Sequence, residues 1–150
     1  NLARSYYATG DFGLAWSNFT EALALRRKIG DLQGVVQSLS DLGRILVACM
    51  DSDSAEKYLS EARKIAEDTE NNLAMVEIFA GLGDAKTLAK SIEDAKSFYE
   101  SALDLVEKIG DQRGRSSVHR RLAELLLSTG DVRAAEERVL QALSDAEKIN

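Results

Sequence analysis

The sequence predicts an all-α fold, a solenoid of antiparallel helix pairs, and three observations carry that expectation. The chain repeats itself with a period of 40 residues. Inside each repeat the apolar residues recur at helical steps, as in Leu39, Leu42 and Leu46, or Tyr58, Leu59, Ala62 and Ile65. The breaks between these stretches are only two or three residues long, which forces neighbouring helices to pack antiparallel. Five columns define the repeat. Ala15, Ala55, Ala95 and Ala135 fall in register, as do Ala22, Ala62, Ala102 and Ala142. Leu2, Leu42, Leu82 and Leu122 form a third column, followed by the small residues Ala3, Gly43, Gly83 and Ala123. Phe19, Leu59, Tyr99 and Val139 form a fifth, all apolar. Small residues let helix backbones approach, and the larger neighbours fill the space between them.

The elements follow in order. A first helix over 1–9 is partial, because Asn1-Leu2 already stands in the middle of its pattern. Seven more are predicted over about 12–29, 32–49, 52–69, 72–89, 92–109, 112–129 and 132–149. Gly10-Asp11, Gly30-Asp31, Gly110-Asp111 and Gly130-Asp131 each read as a helix stop followed by a start. Glycine takes the left-handed conformation that ends a helix, and aspartate accepts the first free N–H groups of the next. Asp51-Ser52, Asn71 and Ser91 hold the equivalent starts where glycine is missing. One array over 1–150 results, with a truncated repeat over 1–30 and full repeats over 31–70, 71–110 and 111–150. Asn1 has no cap before it, and Val139, Leu140, Leu143 and Ile149 have no polar capping helix after them. The expectation is a fragment of a longer array, or an end that pairs with a second copy; self-association through exposed terminal helices is a hazard in either case.

Composition bounds the function. At 150 residues the chain is about one domain, with 45% apolar and 29% charged residues, the balance of a folded chain. It has no proline and 6% aromatic residues, which suits helices better than strands. The 25 acidic residues outweigh the 19 basic ones, for a net charge of -6, which argues against nucleic-acid binding. No apolar run approaches the roughly 18 residues of a membrane span, and no secretory leader is evident, so the expected location is the cytoplasm. One cysteine makes no internal disulfide and no cysteine-rich zinc site.

The columns resemble the tetratricopeptide repeat. That family places a large residue, then Leu-Gly three residues on, then a large apolar residue, with small, aromatic and small residues on the second helix. The second repeat matches with Leu39, Leu42-Gly43, Leu46, Ala55, Leu59 and Ala62. The third matches with Phe79, Leu82-Gly83, Lys86, Ala95, Tyr99 and Ala102, and the fourth with His119, Leu122-Ala123, Leu126, Ala135, Val139 and Ala142. The truncated first repeat contributes Leu2-Ala3, Tyr6, Ala15, Phe19 and Ala22. Two departures stand out: the period is 40 rather than the usual 34 or so, and Lys86 replaces a large apolar residue, which predicts a snorkelling side chain and looser packing there. The resemblance implies a right-handed superhelix.

Catalytic chemistry is missing from the pattern. Gly81-Leu82-Gly83 lies within a helix and lacks the lysine of a phosphate loop. One histidine and one cysteine support no nucleophilic arrangement. His119 occupies the column of Leu39 and Phe79 and reads as a packing residue, and Cys49 reads as a part-buried, inert thiol. Asp51-Ser52-Asp53-Ser54 lacks the glycine and final glutamate of a calcium loop and reads as a helix cap. Trp16 stands where other repeats carry Glu56, Lys96 and Glu136, so it is expected to be partly exposed while covering the first repeat. No enzyme activity, cofactor or metal is expected.

Tetratricopeptide proteins line a concave groove with the first helix of each repeat, and the resemblance implies a groove here that takes a peptide or helix of a partner protein. Helical spacing from the Leu-Gly columns places Arg4 and Tyr7 in it from the first repeat, and Gln37, Ser40, Asp41, Arg44 and Val47 from the second. Glu77, Ala80, Asp84 and Thr87 follow from the third, and Ser117, Arg120, Arg121, Glu124 and Leu127 from the fourth. Asp41, Glu77 and Asp84 make the middle acidic, while Arg113, Arg115, Arg120 and Arg121 make the fourth repeat basic, so a partner of complementary charge would be steered accordingly. The family's clamp for a C-terminal carboxylate is not matched: its positions hold Ser40, Arg44, Gly81, Ser117 and Arg121, with both asparagines absent. The expected function is an interaction scaffold or adaptor. The alternative is a regulatory or sensor segment of a larger signalling ATPase or transcription regulator.

Overall fold

The computed structural model describes residues 11–147. It contains seven helices among them and no strand: α1 (Phe12–Ile29), α2 (Leu32–Ala48), α3 (Ser52–Asp68), α4 (Asn72–Leu88), α5 (Ile92–Ile109), α6 (Gln112–Ser128) and α7 (Val132–Glu147). The partial helix predicted over 1–9 lies outside the described residues. Each helix packs against its neighbours in sequence. In addition α2 touches α4 and α4 touches α6, whereas no comparable contact joins α3 to α5 or α5 to α7. The even-numbered helices therefore form a closely spaced inner row and the odd-numbered ones a splayed outer row, which is the geometry of a curved solenoid.

Local chemistry sets the boundaries. The side chains of Asp11, Asp31, Asp51, Asn71, Asp111 and Asp131 each accept from the backbone N–H three residues on, at 2.9–3.2 Å. The bond to Ser54 holds the Asp51 carboxyl below its ordinary range. Ser91 starts α5 without a side-chain cap bond. Gly30, Gly110 and Gly130 end their helices with φ of 74°, 71° and 85°. At the other three connections Met50, Glu70 and Lys90 adopt the same left-handed backbone, with φ of 63°, 51° and 60°. Stacking thus imposes one connector geometry on all six turns, even where the residue has a Cβ that disfavours it.

The columns become the seams between helices. Ala15, Ala55, Ala95 and Ala135 are at most 1% exposed. Leu59 is wholly buried, and a Cβ added at Gly43 would stand 2.6 Å from its Cγ. The same leucine also lies against Gly81 of the next repeat, where an added Cβ would come within 3.2 Å of its Cδ1. Tyr99 repeats the arrangement, its ring lying where a Cβ on Gly83 would go. Core residues from α1 to α4 form one cluster, and Val76, Ala80 and residues of α5 and α6 form a second; Phe79 and Leu105 pack against both.

Three side chains depart from or refine the reading of the sequence. Lys86 does not loosen its repeat: its Nζ donates to Glu56 Oε2 on α3 at 2.9 Å, that bond raises its pKa, and α4 and α5 pair as closely as the other repeats. Cys49 is exposed rather than part-buried, because it falls on the residue that ends α2, past the last turn of the apolar face. Trp16 is half-buried and meets the edge of Tyr58 at 5.8 Å between ring centroids.

Candidate functional site

Two hollows of about 390 and about 460 Å³ lie along the inner row. Arg44 of α2, Asp84 of α4 and Arg121 of α6 line both, so one continuous surface crosses three helices. The order follows from the repeat itself: Arg44 and Asp84 are 40 residues apart, each directly after its Leu-Gly pair, and a shared register brings them to the same level of the stack. Glu77 and Ser117 line the first hollow, and Arg120 and Glu124 the second. The predicted groove residues Val47, Ala80 and Thr87 line them too. Gln37, Ser40, Asp41 and Leu127 do not. Asp41 is 4% exposed, accepts from Gln37 Nε2 at 3.3 Å and stands 3.6 Å from Arg44, so it acts on the surface by holding Arg44. Arg4 and Tyr7 lie outside the described residues.

Asp84 ties the groove together. Its Oδ1 accepts from the Tyr99 hydroxyl at 2.7 Å, and its Oδ2 is paired with Arg121 of the following repeat. Burial raises the Tyr99 pKa, so the hydroxyl stays a donor. Thr87 adds a contact to the same hydroxyl at 3.3 Å and donates to the Gly83 carbonyl. On α6 Arg120 donates to Glu124 at 2.7 Å, an exposed pair of the kind worth about 0–1 kcal/mol. The uneven charge seen along the sequence is thus largely neutralised across helices. Arg44, Arg113, Arg120 and Arg121 share the hollows with Glu77, Asp84, Asp111 and Glu124. What sequence reasoning missed is apolar: Met50 and Leu73 line the same hollows and are 73% and 61% exposed. Both sit at helix ends, outside the Leu-Gly register used to place the groove.

His119 does more than fill a packing column. It is 5% exposed, on the outer side of α6, where Asp145 and Arg115 join it. Arg115 Nη2 meets Asp145 Oδ1 at 2.6 Å, and His119 Nε2 stands 3.9 Å from Asp145 Oδ2. Burial lowers the histidine pKa, aided by Arg138 and Arg115, while Asp145 and Glu107 oppose the shift. A histidine with a depressed folded pKa releases its proton on folding. Its contribution is complete above the ordinary value of 6.5 and is lost as pH falls from there toward the folded pKa. Urea unfolding is therefore expected to give a lower stability at pH 5.5 than at pH 7.5. His119→Phe, which installs the residue of the third repeat, is expected to flatten that part of the curve. A curve unchanged by the substitution would place the dependence elsewhere.

Among the described residues no group of three or more His, Cys, Asp or Glu could hold a metal ion, and no helix is long and apolar enough to cross a membrane.

Comparison with known proteins accords with this architecture. No curated protein matches the sequence. Among solved structures, BtubC (BKLC) from P. vanneervenii superposes with a TM-score of 0.81 at 22% identity, over 99% of this chain and 61% of that one. The apo form of RapI gives 0.72 at 11% identity, over 98% and 66%. The nearly identical TPR-like repeats of a putative kinesin light chain from Podosopora anserina give 0.65 at 19% identity, over 99% and 74%. This chain thus spans less than two thirds of the length of the first two. At these identities the likeness speaks for the fold alone. The profile described as Tetratricopeptide repeat matches residues 1–68 and 69–148. With the 40-residue columns, the inner and outer helix rows and that match over nearly the whole sequence, the chain belongs to the tetratricopeptide repeat family, whose members are in general protein-interaction scaffolds.

Proposed function

We propose that the inner groove binds an extended peptide or a helix of a partner protein, and that this binding is the chain's activity. The observation that carries the reading is the convergence of Arg44, Asp84 and Arg121, from three successive inner helices, on one surface. A row of side chains from successive inner helices suits a partner segment lying across the stack. With the arginines matched by carboxylates, selectivity falls on mixed polar contacts, and on Met50 and Leu73 as apolar anchors. Exposed, unpartnered apolar residues of this kind mark contact surfaces more often than isolated charges do.

The test is a cross-linked pull-down from the source cells, read by quantitative mass spectrometry. It compares the parent chain with an Arg44→Glu, Arg120→Glu variant and with an outer-surface control, Lys64→Glu, all of equal helicity. A partner captured by the parent and the control is expected to fall at least about tenfold with the groove variant, the scale of one lost charge-assisted contact. Equal capture by all three would remove the groove from the reading.

A further inference from the structure

Met50 and Leu73 break the pattern of the repeat in the same way. Met50 stands at the turn that follows an inner helix, where Lys90 and Gly130 hold the equivalent places. Its backbone is left-handed, a conformation that glycine takes readily and that a Cβ disfavours. Leu73 is the second residue of α4, where Gln33 and Arg113 stand in α2 and α6. Both columns are thus otherwise polar or glycine, as exposed positions favour. In the isolated chain these two large apolar side chains lie mostly in water, so they add little to its stability. Single exposed apolar residues are ordinary on a protein surface. These two, however, open onto one groove, one in each of its hollows.

The hollows lie end to end along the inner helices. On α4 the first runs from Leu73 to Asp84 and the second from Asp84 to Leu88, while Arg44 to Met50 of α2 flank the second. Residue 90 marks the level of Met50 on α4. At about 1.5 Å per residue, Leu73 is about 25 Å from that level, and a helix spacing of about 9 Å separates α2 from α4. The two side chains therefore stand roughly 27 Å apart on a diagonal, which an extended chain spans in about eight residues. Because α2 touches α4 and α4 touches α6, the space between them is a furrow rather than a slot as wide as a helix, about 10 Å. Charge adds a second constraint. Arg44, Arg113, Arg120 and Arg121 balance Glu77, Asp84, Asp111 and Glu124 around the two hollows, so a partner of either net charge is steered no better than a neutral one.

We propose, on the footing that the groove is the binding site, that its occupant is an extended segment of a partner protein, without net charge, that carries two large apolar residues about eight positions apart. One packs on Met50 and the other on Leu73, and the segment crosses Arg44, Asp84 and Arg121 between them. Recognition then follows apolar spacing and is nearly independent of salt.

The test pans phage that display random peptides of about 16 residues, twice the span, against the immobilised whole chain. Enriched peptides are expected to share two large apolar residues roughly seven to nine positions apart. A synthetic peptide of the consensus sequence is then titrated into the parent, into Met50→Gln, into Leu73→Gln and into the Arg44→Glu, Arg120→Glu variant. Both glutamine substitutions change exposed side chains, and Leu73→Gln installs the residue of the second repeat, so helicity should be kept. Each is expected to weaken binding at least about tenfold, as loss of a large apolar contact implies. For the parent, affinity should change less than about threefold between about 0.05 and about 0.5 M salt. Weaker binding to the arginine variant with unchanged binding to both glutamine variants would overturn the proposal and leave the groove as the site. Equal binding to all four would remove the groove and the proposal with it. No enrichment, no common spacing or a steep salt dependence would likewise overturn the proposal.

Discussion

Leu59→Ala is expected to be the most damaging single truncation in the middle of the stack. The side chain is wholly buried and touches the backbone of its own repeat at Gly43 and that of the next at Gly81. Truncating a buried leucine costs about 2–5 kcal/mol, and the cost rises with the cavity that remains. Two of its neighbours are glycines, Gly43 and Gly81, which have no side chain to fall into the space, so a cost well inside that range is expected. Urea unfolding followed by circular dichroism would measure the loss. Leu25→Ala, at a position 58% exposed, is the matched control and should stay within about 0.5 kcal/mol of the parent. Equal effects from both would mean that the repeat seam does not hold the helices together.

Gly83→Ala poses the opposite problem. Alanine is about 1 kcal/mol better than glycine inside a helix where the added methyl meets nothing. At Gly83 the added methyl would enter the space of the Tyr99 ring. The ring is not free to move, since its hydroxyl is bonded to Asp84 at 2.7 Å and contacts Thr87. Overpacking of this kind costs about 1–3 kcal/mol, and breaking the bond to a charged acceptor costs about as much again, so a net loss of about 2 kcal/mol is expected. The fourth repeat suggests the rescue, because it carries Ala123 and Val139 at the two positions. Gly83→Ala combined with Tyr99→Val should recover part of the loss, a non-additive outcome that thermal unfolding can register. Failure of the double substitution to recover anything would deny the direct clash.

The helices and their ends were legible because their causes are local. Asp31 caps a helix with an N–H three residues away, and the alanine columns recur along one face, so a linear reading finds both. Even Met50, Glu70 and Lys90 turn where the 40-residue period says a turn must come, although no glycine announces it. The groove was legible as a set of positions but not as an electrostatic surface. Asp84 finds its partners 15 residues away at Tyr99 and 37 away at Arg121, on different helices, and only the stacking decides that they meet. Asp41, read as a groove carboxylate, is buried behind Arg44 for the same reason. The polar group at Arg115, His119 and Asp145 was within reach: each residue breaks an apolar column, and the three breaks fall in one repeat. Taken one at a time they pass for tolerated exceptions.

Among the described residues, extensive contacts join only helices that are adjacent or next-but-one in order. In kinetic terms, no distant stretches of chain must find each other before the structure gains stability. Such low contact order favours fast folding, which can start at any interior helix pair and spread to its neighbours. The reverse also holds: a pair can open while the rest stays protected, so amide exchange should be graded along the stack rather than uniform. A helix pair inserted or removed in register would leave every other pair with the same kind of neighbour. For a curved surface built by repetition, length is thus a quantity that recombination can change without redesigning the core.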